Sequence, residues 1–86
     1  MYTKKFGKNL KVILDIRGIT HEKAAELFGV SVPMITKYTQ GRNMPLGEQL
    51  VKISVILGVS LDSLVGLKPL VITSEGDAPP VKKKIA

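Results

Sequence analysis

Phe6, Leu10, Ile13, Leu14 and Arg17 fall at i, i+4, i+7, i+8 and i+11, the interval at which a helix presents one face. The spacing predicts a first helix over Thr3 to Arg17, closed by Gly18 as a C-terminal cap. Thr20 then offers an N-cap hydroxyl and Glu22 an acid in the first turn, with Ala24, Leu27 and Phe28 on one face of a short second helix that stops at Gly29. In Gly29-Val30-Ser31 the glycine turns the chain and Ser31 caps a third helix. Pro33 sits in its first turn, where a missing N–H costs nothing, and Ile35 and Tyr38 point inward until Gly41 stops it. After the loop from Gly41 to Pro45, Leu46, Leu50, Ile53 and Leu57 repeat at helical spacing up to Gly58. Ser60 caps a last helix through Leu61, Leu64 and Val65, and Gly66 and Pro69 break the pattern. The expected class is all-α, a compact five-helix domain spanning residues 1–67.

Residues 68–86 carry Pro69, Gly76, Pro79, Pro80 and the run Lys82 to Lys84, a composition that favours an extended, flexible tail or linker. Within it, Leu70 to Thr73 is β-prone, and a strand there needs a partner from another subunit. Val51 and Val55 make the fourth helix apolar on more than its core stripe, which implies packing under the first helix or a subunit interface. Leu61, Leu64, Val65 and Leu67 add more apolar surface than one short helix hides.

Composition narrows the chemistry. The 86 residues hold 13 Lys and Arg against 7 acids, one His and no Cys, for a formal charge of +6. Without cysteine there is neither a disulfide scaffold nor a thiolate zinc site, and one imidazole cannot complete a metal cluster. No cofactor is expected. The basic balance draws polyanions without naming one. It is shared by both parts, with nine Lys and Arg against five acids in residues 1–67 and four against two in 68–86. No apolar run of secretory or bilayer-spanning length is visible, so the expected location is the cytoplasm, with no membrane partner.

The run from Thr20 to Gly41, THEKAAELFGVSVPMITKYTQG, resembles the helix-turn-helix of the Cro and lambda-repressor-like family, also called XRE-type regulators. Ala25 occupies the family's small-residue position and Gly29 its turn, while Ala24, Phe28, Val30, Ile35 and Tyr38 fill its inward apolar positions. The likeness continues through Gly41 and Pro45 to Leu-Gly-Val-Ser-Leu-Asp-Ser-Leu at 57–64, and covers roughly residues 6 to 66. Physical reasons support these residue types. Ala25 lets the second helix approach the third, Gly29 reverses direction without strain, and Val30 with Ile35 fixes the angle between the two helices.

The resemblance implies double-stranded DNA as partner, with the third helix in the major groove. Ser31, Val32, Pro33, Thr36 and Lys37 would then face the bases. His21, Lys23, Arg42 and Asn43 would meet phosphates. The family often carries amides where this chain has Val32 and Pro33, which make no hydrogen bonds but can touch thymine methyl groups. It also often has Gln in place of His21 and Glu in place of Thr39. Lys4, Lys5, Lys11 and Lys52 read as a solvated face, and Lys82 to Lys84 as a solubilising tail or a source of non-specific DNA affinity.

The function expected is a sequence-specific DNA-binding transcriptional regulator, a repressor acting as a homodimer on a pseudo-palindromic operator. The alternatives are a protein-interaction module that keeps the helix-turn-helix core without reading bases, and an antitoxin-type autoregulator. An enzyme fits worst. One His, no Cys and scattered carboxylates offer no nucleophile and base, and Thr20, Ser31 and Ser60 are explained as helix caps. No small-molecule site is evident.

Overall fold

A computed structural model describes residues 2–70. The expected tail beyond Leu70, including most of the β-prone run Leu70 to Thr73 and the run Lys82 to Lys84, lies outside the described residues. Among those described there are five helices and no strand: α1 (Tyr2–Arg17), α2 (His21–Phe28), α3 (Val32–Thr39), α4 (Glu48–Leu57) and α5 (Leu61–Leu64). The all-α, five-helix expectation holds.

The helix ends are set locally. Thr20 Oγ1 accepts from Lys23 N at 3.1 Å, Ser31 Oγ from Met34 N at 3.2 Å and Ser60 Oγ from Ser63 N at 3.1 Å, so each of α2, α3 and α5 has its hydroxyl cap. Gly29 closes α2 at φ 73°, a left-handed conformation that sends its N–H back to the Ala25 carbonyl at 2.9 Å. Only two residues then separate α2 from the first residue of α3 beyond that glycine, Val30 and Ser31. The third helix ends at Thr39 rather than running to Gly41; Gln40 is its C-cap, and Gly41 takes φ 73° to turn the chain.

α1 and α2 both pack on α3, α2 also meets α4, and α5 bridges α1 and α4. Phe6, Leu10, Ile13 and Leu14 supply the α1 side of the core, facing Ala24, Ala25 and Phe28 of α2, Ile35 and Tyr38 of α3, and Ile53 and Leu57 of α4. The rings of Phe6 and Tyr38 meet edge to face, with centroids 5.9 Å apart and planes at 85°. Beside them Gly7 is buried, and a Cβ placed there would run into the Tyr38 carbonyl oxygen and lie 2.9 Å from Gly41 N. The bare backbone at Gly7 therefore sets how closely α1 approaches the end of α3.

Side chains also tie helix ends across the fold. Asn9 Nδ2 donates to the carbonyls of Ser63 at 2.9 Å and Leu64 at 3.1 Å, binding α1 to the end of α5. Arg17 Nη1 donates to the Leu57 carbonyl at the end of α4, where a cation complements the helix dipole. Gln49 Nε2 donates to the Phe28 carbonyl at 3.0 Å, joining α4 to the end of α2. Contacts continue to Leu70, which packs partly buried against the core.

Two apolar expectations are corrected, and one of the two alternatives for α4 falls. Leu46 is not the first core residue of α4: Gly47, at φ 55°, turns the chain before the helix begins at Glu48, and Leu46 is left 79 % exposed. Leu27 is exposed rather than facing inward with Phe28, because the buried stripe of α2 is carried by Ala24, Ala25 and Phe28. The expected surplus of apolar surface around α5 is present: Leu64 is fully buried, but Leu61 and Leu67 remain exposed. Val51 and Val55 are not covered by α1; they are 48 % and 74 % exposed.

Two consequences are measurable. Gly7→Ala lowers stability by about 1 to 3 kcal/mol, although the same change in an open helix gains about 1 kcal/mol. A higher denaturation midpoint for the variant would contradict the close approach of α1 and α3. Burial also raises the Tyr38 phenol above its ordinary 10.0. The folded state favours the neutral form, so this contribution is complete below about pH 10 and is lost as pH rises towards the folded value, the unfolded chain ionising first. Urea titrations at about pH 8 and about pH 11 should show a smaller alkaline loss in Tyr38→Phe than in the native protein; equal losses would exclude Tyr38 as a source.

Candidate nucleic-acid interface

With Ile35 and Tyr38 buried, the helical period of 100° per residue leaves a definite outer face on α3. Pro33, Lys37 and Gln40 follow one another at i, i+4 and i+7 on that face, and all three are exposed. Ser31 and Val32 are exposed at the helix entrance, with Val32 at 37 %. The first turn of α3 thus meets solvent with an apolar surface of Val32 and Pro33, flanked by one cation at Lys37.

Thr36 is placed differently from its neighbours. It is half-buried, and its Oγ1 lies 3.3 Å from His21 Nδ1 at the start of α2. His21 is half-buried as well, so the first residue of one helix touches the middle of the next. The Thr36 carbonyl accepts from Thr39 Oγ1 at 3.1 Å and from Gln40 N at 3.0 Å, which finishes the helix. Ser31 is exposed, yet its hydroxyl is committed to the N-cap.

The loop after α3 adds charge beside that face. Arg42 and Asn43 are exposed. Arg42 Nη1 donates to Gln40 Oε1 at 3.3 Å, and Asn43 Nδ2 reaches Met34 Sδ at 3.2 Å, so the loop folds back onto the helix that precedes it. Buried Pro45 and half-buried Met44 anchor its far end, with Thr3 Oγ1 3.9 Å from Met44 Sδ. Lys23, on α2, is exposed and pairs with Glu26 at 3.6 Å, a solvent-screened contact of little energetic weight.

Two residues belong to this surface that the pattern along the chain had not assigned to it: Gln40, and Lys4, which reads there as solvated face. Gln40 completes the stripe begun by Pro33 and Lys37, and its spacing of seven from Pro33 is the signal that would have found it. Lys4 comes from α1: a Cβ on Gly41 would lie 3.2 Å from Lys4 Cα, which puts the backbone of Lys4 next to the turn leading to Arg42. No local signal marks that neighbour, which lies 37 positions away. Lys5 stands elsewhere, against Gly66.

Among the described residues, no helix is long and apolar enough to cross a membrane. Nor does any group of three or more His, Cys, Asp or Glu there have an arrangement that could hold a metal ion. Comparison with curated proteins and with solved structures gave no match. A family model described as helix-turn-helix matches residues 10–64, from the middle of α1 to the end of α5. With that match spanning well over half of the chain, and α2, its glycine turn and α3 at its centre, the protein belongs to the helix-turn-helix family of DNA-binding regulators, of the XRE type.

Proposed function

We propose that the protein is a sequence-specific transcriptional repressor, acting in the cytoplasm as a homodimer that lays one α3 from each protomer in the major groove of double-stranded DNA. The observation that carries this reading is the exposed first turn and outer stripe of α3, held outward by buried Ile35 and Tyr38. Ser31, Val32, Pro33, Thr36 and Lys37 face the bases. Val32 and Pro33 press on thymine methyl groups, Lys37 donates to guanine O6 or N7, and Thr36 brings a hydroxyl. His21, Lys23, Arg42 and Asn43 hold phosphates and fix the register, contacts that themselves carry no sequence information. Residues 1–67 form the DNA-binding unit, with packing contacts reaching Leu70, and the remainder is a basic tail.

Dimerisation is supported by apolar surface that the monomer does not cover. Val51 and Val55 on α4 and Leu61 and Leu67 around α5 are exposed to between 37 % and 74 %. A two-fold pairing would set the two α3 helices about 34 Å apart, one turn of duplex. Sedimentation should find a dimer, at least in the presence of operator DNA; a monomer with and without DNA would sink the dimer.

Selection from a random duplex pool at about 150 mM salt, where non-specific attraction is weakened, should enrich a palindromic motif with thymines at its outer half-site positions. Lys37→Ala should cost about 1 to 3 kcal/mol and relax preference at one base pair. Thymine-to-cytosine changes that leave affinity untouched would remove the methyl contacts. Recovery of no motif would instead favour a protein-binding role for the apolar turn at Val32 and Pro33.

A further inference from the structure

We propose that His21 is a specificity-determining positioning residue: through its contact with Thr36 it decides whether that hydroxyl donates or accepts towards the base, so its protonation changes which base is preferred. The inference rests on the DNA-reading surface proposed above and concerns one hydroxyl of it.

The geometry leaves the hydroxyl two roles. His21 Nδ1 and Thr36 Oγ1 are 3.3 Å apart, and both residues are half-buried at the junction of α2 and α3. A hydroxyl has one hydrogen and two lone pairs. In the neutral Nε2–H tautomer Nδ1 carries no proton and accepts the Thr36 hydrogen, so the oxygen offers lone pairs alone; the inferred switch is that of this tautomer, because the Nδ1–H tautomer already donates as the imidazolium does. In the major groove such an acceptor suits cytosine N4 or adenine N6. When Nδ1 is protonated it donates to the Thr36 oxygen, and the hydroxyl hydrogen is released. A donor suits guanine O6 or N7, or thymine O4.

Histidine is the side chain whose charge ordinarily changes between about pH 5 and 8. The charged groups on the elements around it are Glu22, Lys23 and Glu26 on α2, Lys37 on α3, and Glu48 and Lys52 on α4. Of these, Lys52 stands at the opposite end of α2, where its Nζ would lie 3.2 Å from a Cβ on Gly29. Protonation also adds a positive charge near the phosphates, but that attraction is independent of sequence. A change in base preference is therefore the readout that separates the switch from plain electrostatics.

The test is duplex selection with the full chain at about pH 5.5 and about pH 8, either side of the ordinary histidine range, for the native protein, His21→Phe and Thr36→Val. The native protein should move its preference at one position in each half-site from cytosine or adenine at high pH towards guanine or thymine at low pH. The shift should be of order tenfold, the scale of a single base contact. His21→Phe, which leaves the hydroxyl free to rotate and also gives up a phosphate contact, should bind every sequence more weakly and lose the pH dependence at that position, and Thr36→Val should lose the preference at that position at both pH values. Thermal unfolding of both variants verifies that they fold, and a variant that does not fold is replaced by His21→Leu or Thr36→Ala. A motif that is the same at both pH values, or merely tighter binding to every sequence at low pH, overturns the inference and leaves the DNA-reading surface standing. No motif from the native protein at either pH removes both.

Discussion

The third helix lies where it does because position 7 of α1 has no side chain. Gly7 meets the backbone of Tyr38 and Gly41, and such backbone contact cannot be relieved by turning a rotamer. The neighbouring edge-to-face pair of Phe6 and Tyr38 covers the same junction from the core side. Ile35, one turn earlier, is fully buried, so two anchors define both the position and the roll of α3. Everything exposed on its outer face follows from that roll. The loop beyond it inherits the placement too, since Gly41 is held against Lys4 and the chain continues directly to Arg42 and Asn43.

What could be read along the chain was local. Hydroxyl caps at Thr20, Ser31 and Ser60 act within three residues, and the left-handed glycines at 29 and 58 act within about one turn, so the starts of α2, α3 and α5 and the ends of α2 and α4 were legible. Their interior stripes followed from the period. The miss at Leu46 was a miss of phase: its spacing to Leu50 is helical, but Gly47 turns the chain between them. Gly7, Asn9 and Gln49 were illegible for a different reason. Their partners lie 21 to 55 positions away, and nothing in an isolated glycine or amide says which carbonyl it will meet.

The same division runs through the candidate interface. Val32, Pro33 and Lys37 followed from helix phase and are exposed. Gln40 was equally available from phase, but lay hidden behind the expectation that Gly41 alone ended the helix. The pairing of His21 with Thr36 bridges two helices across a turn, and Lys4 arrives beside the loop only through the close approach at Gly7. Sequence thus showed that Val32, Pro33 and Lys37 face outward, while the fold decided which residues of the interface have neighbours.

That distinction bears on how the proposed interface divides its work. A surface with Val32 and Pro33 in its first turn has few donors to give to base edges, so base reading falls to methyl contacts, one lysine and one hydroxyl. Much of the affinity must then come from phosphates, through Arg42, Asn43 and the cations around them, and must weaken with salt accordingly. The cations themselves are unevenly committed. Lys23 faces Glu26, whereas Arg42 holds the neutral amide of Gln40, so its charge is oriented without being neutralised. An oriented guanidinium loses less side-chain freedom when it grips a phosphate. In this reading the Gln40 side chain serves the interface indirectly, by holding Arg42 in place, and α3 contributes to binding through both its first turn and its cap.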